Sequence, residues 1–201
     1  MAERKNTRIR TGIFGGTFNP VHNGHVALAA RIRKAARLDE VWLMVTPQNP
    51  WKADKVLLDD DLRLEMVQAA VEGEKGLMAS DFEFSLPKPS YTWNTLQALS
   101  EAYPNRSFTL IIGADNWVGF NGWYEHEKIL ANYRIVVYPR TGSEIDGSTL
   151  PRGVRLLNTE LYDVSSTEVR RRVSEGLPID QLVPSAVAEI IAREGYYQEG
   201  S

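Results

Sequence analysis

The stretch that decides the fold is Gly15-Gly16-Thr17-Phe18-Asn19-Pro20-Val21-His22-Asn23-Gly24-His25. It follows a short apolar run, Ile9 to Phe14, and leads into Val26-Ala27-Leu28-Ala29-Ala30. An extended run, a glycine turn and a 3.6-periodic segment in that order predict strand, turn and helix. His22 and His25 lie three apart at the helix start, so the spacing puts both imidazoles on one face. The glycines allow close approach of a ligand to the backbone. The helix start adds free N–H groups and a partial positive charge, which suits a polyphosphate. The pattern is neither G-x-G-x-x-G nor a P-loop with G-K-[ST].

Outward from the turn, apolar runs alternate with helical periodicity. Strands are expected at Arg8–Phe14, Glu40–Thr46, Leu77–Phe84, Phe108–Ile112, Arg134–Tyr138 and Val154–Leu157. Helices are expected at Val26–Ala36, Asp60–Val71 and Thr92–Ala102, the second opened by the acidic run Asp59-Asp60-Asp61. This order predicts an α/β fold, a mostly parallel sheet with flanking helices. Ligands in such folds bind at the carboxyl ends of the strands. The glycine turn belongs there, and so does Gly113-Ala114-Asp115 after the run Phe108–Ile112.

A second anion site is expected at Val164-Ser165-Ser166-Thr167-Glu168-Val169-Arg170. Ser165 and Glu168 fit a capping box, and Gly176 and Pro178 mark the helix end. The hydroxyls lie beside the N-terminal N–H groups, with Arg170 one turn in.

Composition sets the bounds. The chain has 201 residues, 43% hydrophobic and 24% charged, with a net charge of −3. That predicts a single domain over 1–201, its C-terminal helical part at about 165–197. It argues against a nucleic-acid partner that needs a broad basic surface. There are no cysteines and three histidines, His22, His25 and His126, so neither a thiolate nor a multi-histidine metal site is expected. No run approaches the roughly 18 apolar residues of a membrane span. The polar Met1–Asn6 lacks an apolar signal core. A soluble cytoplasmic protein with no membrane partner is the expectation.

The segment His22-Asn23-Gly24-His25 resembles the H-x-G-H motif of the nucleotidyltransferase superfamily, and Val164–Arg170 resembles its I-S-S-T-x-[IV]-R segment with Val for Ile. A lysine-rich K-M-S-K-S loop, which class I aminoacyl-tRNA synthetases would need, is absent. Three further stretches resemble bacterial nicotinate mononucleotide adenylyltransferases: Pro89-Ser90-Tyr91-Thr92 with Thr95-Leu96, Gly113-Ala114-Asp115 with Trp123-Tyr124, and Asn49-Pro50-Trp51-Lys52. The likeness runs from Gly12 to about Val173. Two positions depart from the pattern: Asn19 stands where Asp is frequent, and Trp51 where His is frequent.

The resemblance implies a Rossmann-like, doubly wound fold and AMP transfer from ATP to nicotinate mononucleotide (NaMN), releasing pyrophosphate, as a step of NAD biosynthesis. It implies His22, His25 and Arg170 as catalytic residues. Gly15, Gly16, Thr17, Phe18, Gly24, Gly113, Asp115, Ser165, Ser166 and Thr167 would bind ATP. Asp115 would accept from ribose hydroxyls, or simply cap a helix. Asn49, Lys52, Tyr91, Thr92, Trp123, Tyr124 and Arg140 would bind NaMN, with Trp123 stacked on the pyridine ring. Mg²⁺ would be carried mainly on the ATP phosphates, with no metal site of protein ligands. The alternatives are another acceptor, nicotinamide mononucleotide or phosphopantetheine, and a non-catalytic nucleotide sensor. A homo-oligomer is left open.

Overall fold

The computed structural model describes residues 8–47, 57–157 and 164–198. Six strands form one sheet, β1 (Ile9–Gly16), β2 (Glu40–Val45), β3 (Leu77–Ser80), β4 (Arg106–Gly113), β5 (Arg134–Tyr138) and β6 (Val154–Leu156). Their order is β3-β2-β1-β4-β5-β6, and every neighbouring pair is parallel. The sheet is thus wholly parallel rather than mostly so. The order reverses between β1 and β4, which makes the ends of those two strands the topological switch point.

Each inner strand is buried on both faces, so its residues split alternately between two cores. On one face lie Phe14, Val41, Leu43, Val45, Ile111 and Val136. On the other lie Ile13, Trp42, Met44, Leu110, Ile112, Ile135 and Val137. Period-2 alternation of two apolar sets is what a doubly covered sheet demands. The first face carries α1 (Asn23–Ala35), α2 (Asp60–Val71), α6 (Ser166–Ser174) and α7 (Ser185–Glu194) through Leu28, Ile32, Met66, Val67, Val169, Val187 and Ile191. The second carries α3 (Thr92–Ala102), α4 (Ala114–Val118) and α5 (His126–Asn132) through Leu96, Leu99, Ala114 and Ile129. No helix among the described residues is long and apolar enough to cross a membrane.

Two expectations are corrected. The strand expected over Leu77–Phe84 stops at Ser80, and Phe82–Ser85 forms a 3₁₀ turn. There the Ser80 hydroxyl accepts from the Phe82 N–H at 3.3 Å, and the Asp81 carbonyl accepts from the Phe84 N–H at 2.8 Å. The capping box of α6 is half formed. Ser165 Oγ accepts from the Glu168 N–H at 3.1 Å, but the Glu168 carboxylate is taken by Arg171 at 2.8 Å and Arg172 at 3.1 Å.

Candidate active site

The glycine turn leaves the carboxyl end of β1 and enters α1, whose N-cap is His22. The His22 and His25 rings stack with centroids 3.6 Å apart and planes 25° from parallel. The i, i+3 spacing thus yields one shared face. Phe18 meets the His25 ring edge-on at 5.0 Å, and Phe14 lies 6.2 Å from it. The turn needs Gly16, because a Cβ there would sit 2.9 Å from Cζ of Phe18, which is itself buried.

Burial sets the electrostatics of the pair. Desolvation, with the Arg140 charge second, pulls His22 down to about 4. Desolvation, then His22 and Arg140, holds His25 well below the usual histidine range. Both rings are therefore neutral near pH 7. The His22 N–H donates to Nδ1 of His25 at 3.2 Å, so the neutral His25 ring carries its proton on Nε2.

The N-terminus of α6 docks on the same turn. Ser166 Oγ donates to the Pro20 carbonyl at 2.8 Å, and Arg170 donates to the Asn19 carbonyl at 2.7 Å. Arg170 also reaches Thr167 Oγ1 at 3.3 Å. Two helix N-termini consequently converge on one place, a natural seat for an anion. Ser166 and Arg170 already have partners there, so an incoming phosphate must share or displace those carbonyls.

A cleft of about 750 Å³ opens over this region. Of the residues expected to bind ATP or act in catalysis, it is lined by Gly15, Gly16, Thr17, Phe18, His22, Gly24, His25, Asp115, Ser166 and Arg170. Arg140, expected beside the acceptor, lines this cleft instead. Asp115 does not cap α4, whose N-cap is Gly113. Its carboxylate folds back over Gly113, where a Cβ would collide with Oδ1, and stands 3.5 Å from Arg140 Nε. Ser165 and Thr167 flank the cleft without lining it.

A second cavity of about 220 Å³ abuts the first and holds Thr92, Gly113 and Trp123. Gly15, Asn116 and Tyr138 line both, so the two share a wall at the switch point. Tyr91 and Tyr124 line neither; their rings pair at 4.8 Å and both are exposed. Asn49 and Lys52, with Trp51, lie outside the described residues.

Several contributors escaped the sequence reading. Tyr138 could have been found as the residue that ends the strand signal Arg134–Tyr138, and Asn116 as the residue that follows Gly113-Ala114-Asp115. Glu83 could not. It lines the smaller cavity, accepts from Thr95 Oγ1 at 2.8 Å, and is raised above the usual carboxylate range by burial. Tyr197, buried after α7, donates its hydroxyl to Asn19 Oδ1 at 2.7 Å. Asn19, an amide where an acid is frequent, is thereby the acceptor for a phenol.

Comparison with known proteins gives the family. The family model described as cytidylyltransferase-like matches residues 13–172. The "Probable nicotinate-nucleotide adenylyltransferase" of Bacteroides fragilis is 46% identical over 187 residues, 93% of each chain. The protein so named from Bacteroides thetaiotaomicron is 46% identical over 191 residues, 95% of each chain. Plasmodium falciparum nicotinic acid mononucleotide adenylyltransferase, solved in complex with NaAD, superposes with a TM-score of 0.78 at 21% identity, over 94% of this chain and 97% of that one. That last likeness is one of fold. With the family model over most of its length and these relatives at both its ends, the chain belongs to the cytidylyltransferase-like family of nucleotidyltransferases, alongside the nicotinate-nucleotide adenylyltransferases.

Proposed function

We propose that the protein transfers AMP from ATP to NaMN, giving nicotinate adenine dinucleotide and pyrophosphate. The observation that carries this reading is the shared wall between the two cavities at Gly15, Asn116 and Tyr138. The larger cleft, under two helix N-termini, suits a nucleoside triphosphate. The smaller, lined by Trp123 and Thr92, suits a pyridine ring bearing a carboxylate. A phosphate reaching out of the smaller cavity meets the α-phosphorus in the larger.

The reaction balances simply. An oxygen of the NaMN phosphate forms a bond to the α-phosphorus, and the bond to the β-bridging oxygen breaks, its electron pair leaving with pyrophosphate. The nucleophile is already an anion, so no general base is required; positioning and charge neutralisation carry the catalysis. Neutral His25 donates from Nε2–H, and His22 stands behind it. Ser166 and Arg170 face the distal phosphates, and Asp115 suits the ribose hydroxyls. Trp123 and Thr92 hold the acceptor, and Arg140 serves the triphosphate side instead.

The donor set fits a phosphate-borne Mg²⁺. Among the described residues no three metal-binding side chains cluster, and Asp115 is the one carboxylate lining the larger cleft. When bound with ATP the ion neutralises triphosphate charge.

The test is pyrophosphate release with ATP and Mg²⁺ against NaMN, nicotinamide mononucleotide and phosphopantetheine in parallel. Release favouring NaMN is expected. Preference for phosphopantetheine overturns the acceptor assignment, and silence with all three favours a nucleotide sensor.

A further inference from the structure

Beneath the glycine turn sits a charged side chain that lines neither cavity and has no exposure at all: Arg63, in the first turn of α2. A buried guanidinium persists only where its donors are met. This one meets mostly backbone. Nε donates to the Leu58 carbonyl at 2.9 Å. One terminal nitrogen donates to the Thr17 carbonyl at 2.5 Å and to the Thr46 carbonyl at 3.0 Å. The other donates to Asp60 at 2.5 Å. Burial pulls the guanidinium down from its ordinary value, and Asp60 offsets that.

The two carbonyls on the shared nitrogen have different owners. Thr17 belongs to the turn and lines the larger cleft; Thr46 follows β2 and lines the smaller cavity. The Thr46 N–H in turn donates to the Gly16 carbonyl at 2.9 Å. A single side-chain nitrogen thus bridges the floor of one cavity to the floor of the other. The planar fork of arginine can hold three carbonyls and a carboxylate at once; an ammonium cannot.

We propose that Arg63 is a positioning residue that fixes the two cavities relative to each other, so that acceptor phosphate and α-phosphorus meet in register. The proposal rests on the transfer reaction above. It predicts a defect in the chemical step rather than in binding, since misplacement by about 1 Å can cost about 10²-fold in rate.

The experiment compares Arg63→Lys with the unmodified protein by steady-state kinetics in both substrates and by amide hydrogen exchange. The expected result is kcat lower by about 10²-fold with each KM within about threefold. Exchange should rise in the turn 15–20 and at 44–46, with β4 and β5 still protected. Unchanged kcat in a folded variant overturns the proposal, as does exchange raised evenly through the sheet. Should Arg63→Lys fail to fold, Asp60→Asn keeps the guanidinium and removes its ion partner. It is expected to shift kcat and turn exchange the same way by about 10-fold, and no shift in either overturns the proposal. If the unmodified protein releases no pyrophosphate with NaMN, the transfer reading fails. The exchange measurement, which needs no substrate, still decides Arg63, and a turn no looser in Arg63→Lys overturns it.

Discussion

Lowering the pH should destabilise this protein through the two stacked histidines of the glycine turn, and the size of the effect follows from their burial. His22 ordinarily titrates near 6.5 and is held at about 4 here by burial and by Arg140. The unfolded chain therefore binds a proton that the folded chain refuses. Stability is full above about pH 6.5 and falls as the pH drops through the unfolded value, levelling off below about 4. The linked loss from His22 alone is about 1 kcal/mol at pH 5.5 and about 2 kcal/mol at pH 5. His25 is shifted the same way and adds to it. The assay is urea denaturation from pH 7.5 to 5 on the unmodified protein and on His22→Asn, whose side chain does not titrate. Carboxylates common to both cancel in the difference. The stability gap between the two should move by about 2 kcal/mol across that range, in favour of the variant at low pH. A gap constant to within about 0.5 kcal/mol would show that His22 is solvated or paired, and burial would then not be what sets its charge.

Three further outcomes are expected. His25→Ala should lower kcat by about 10²–10³-fold and leave the KM for ATP much less affected, read by steady-state pyrophosphate release. Trp123→Ala should raise the KM for the mononucleotide while that for ATP stays nearly constant; equal effects on both would mark a purely structural tryptophan. Tyr197→Phe should cost about 1 kcal/mol in chemical denaturation, because it removes a buried donor to Asn19 Oδ1.

What the sequence disclosed was local. The turn Gly15–His25 was legible because its glycines, its histidine spacing and the apolar runs on either side are all short-range signals, and they fixed the strand–turn–helix and, by alternation, the parallel sheet. The run Leu77–Phe84 misled for a physical reason. Phe82 and Phe84 look like a continuing strand, yet each packs against a different face of the sheet from a 3₁₀ turn. The basic start of α6 was legible as an anion site, but its partners were not: Ser166 and Arg170 hold carbonyls about 150 residues away. Arg63 and Glu83 were invisible for a related reason. A charged residue in an acidic helix or between two aromatics reads as solvated until the packing around it is known.

The bond between Tyr197 and Asn19 joins residues 178 positions apart. During synthesis the glycine turn emerges from the ribosome early, with β1 and α1, and the sheet can gather around it strand by strand. Its amide finds its phenol only after a further 178 residues have been made. A nascent chain that lacks α7 therefore lacks both one cover of the sheet and the phenol that holds the glycine turn, so a region translated late completes one translated early.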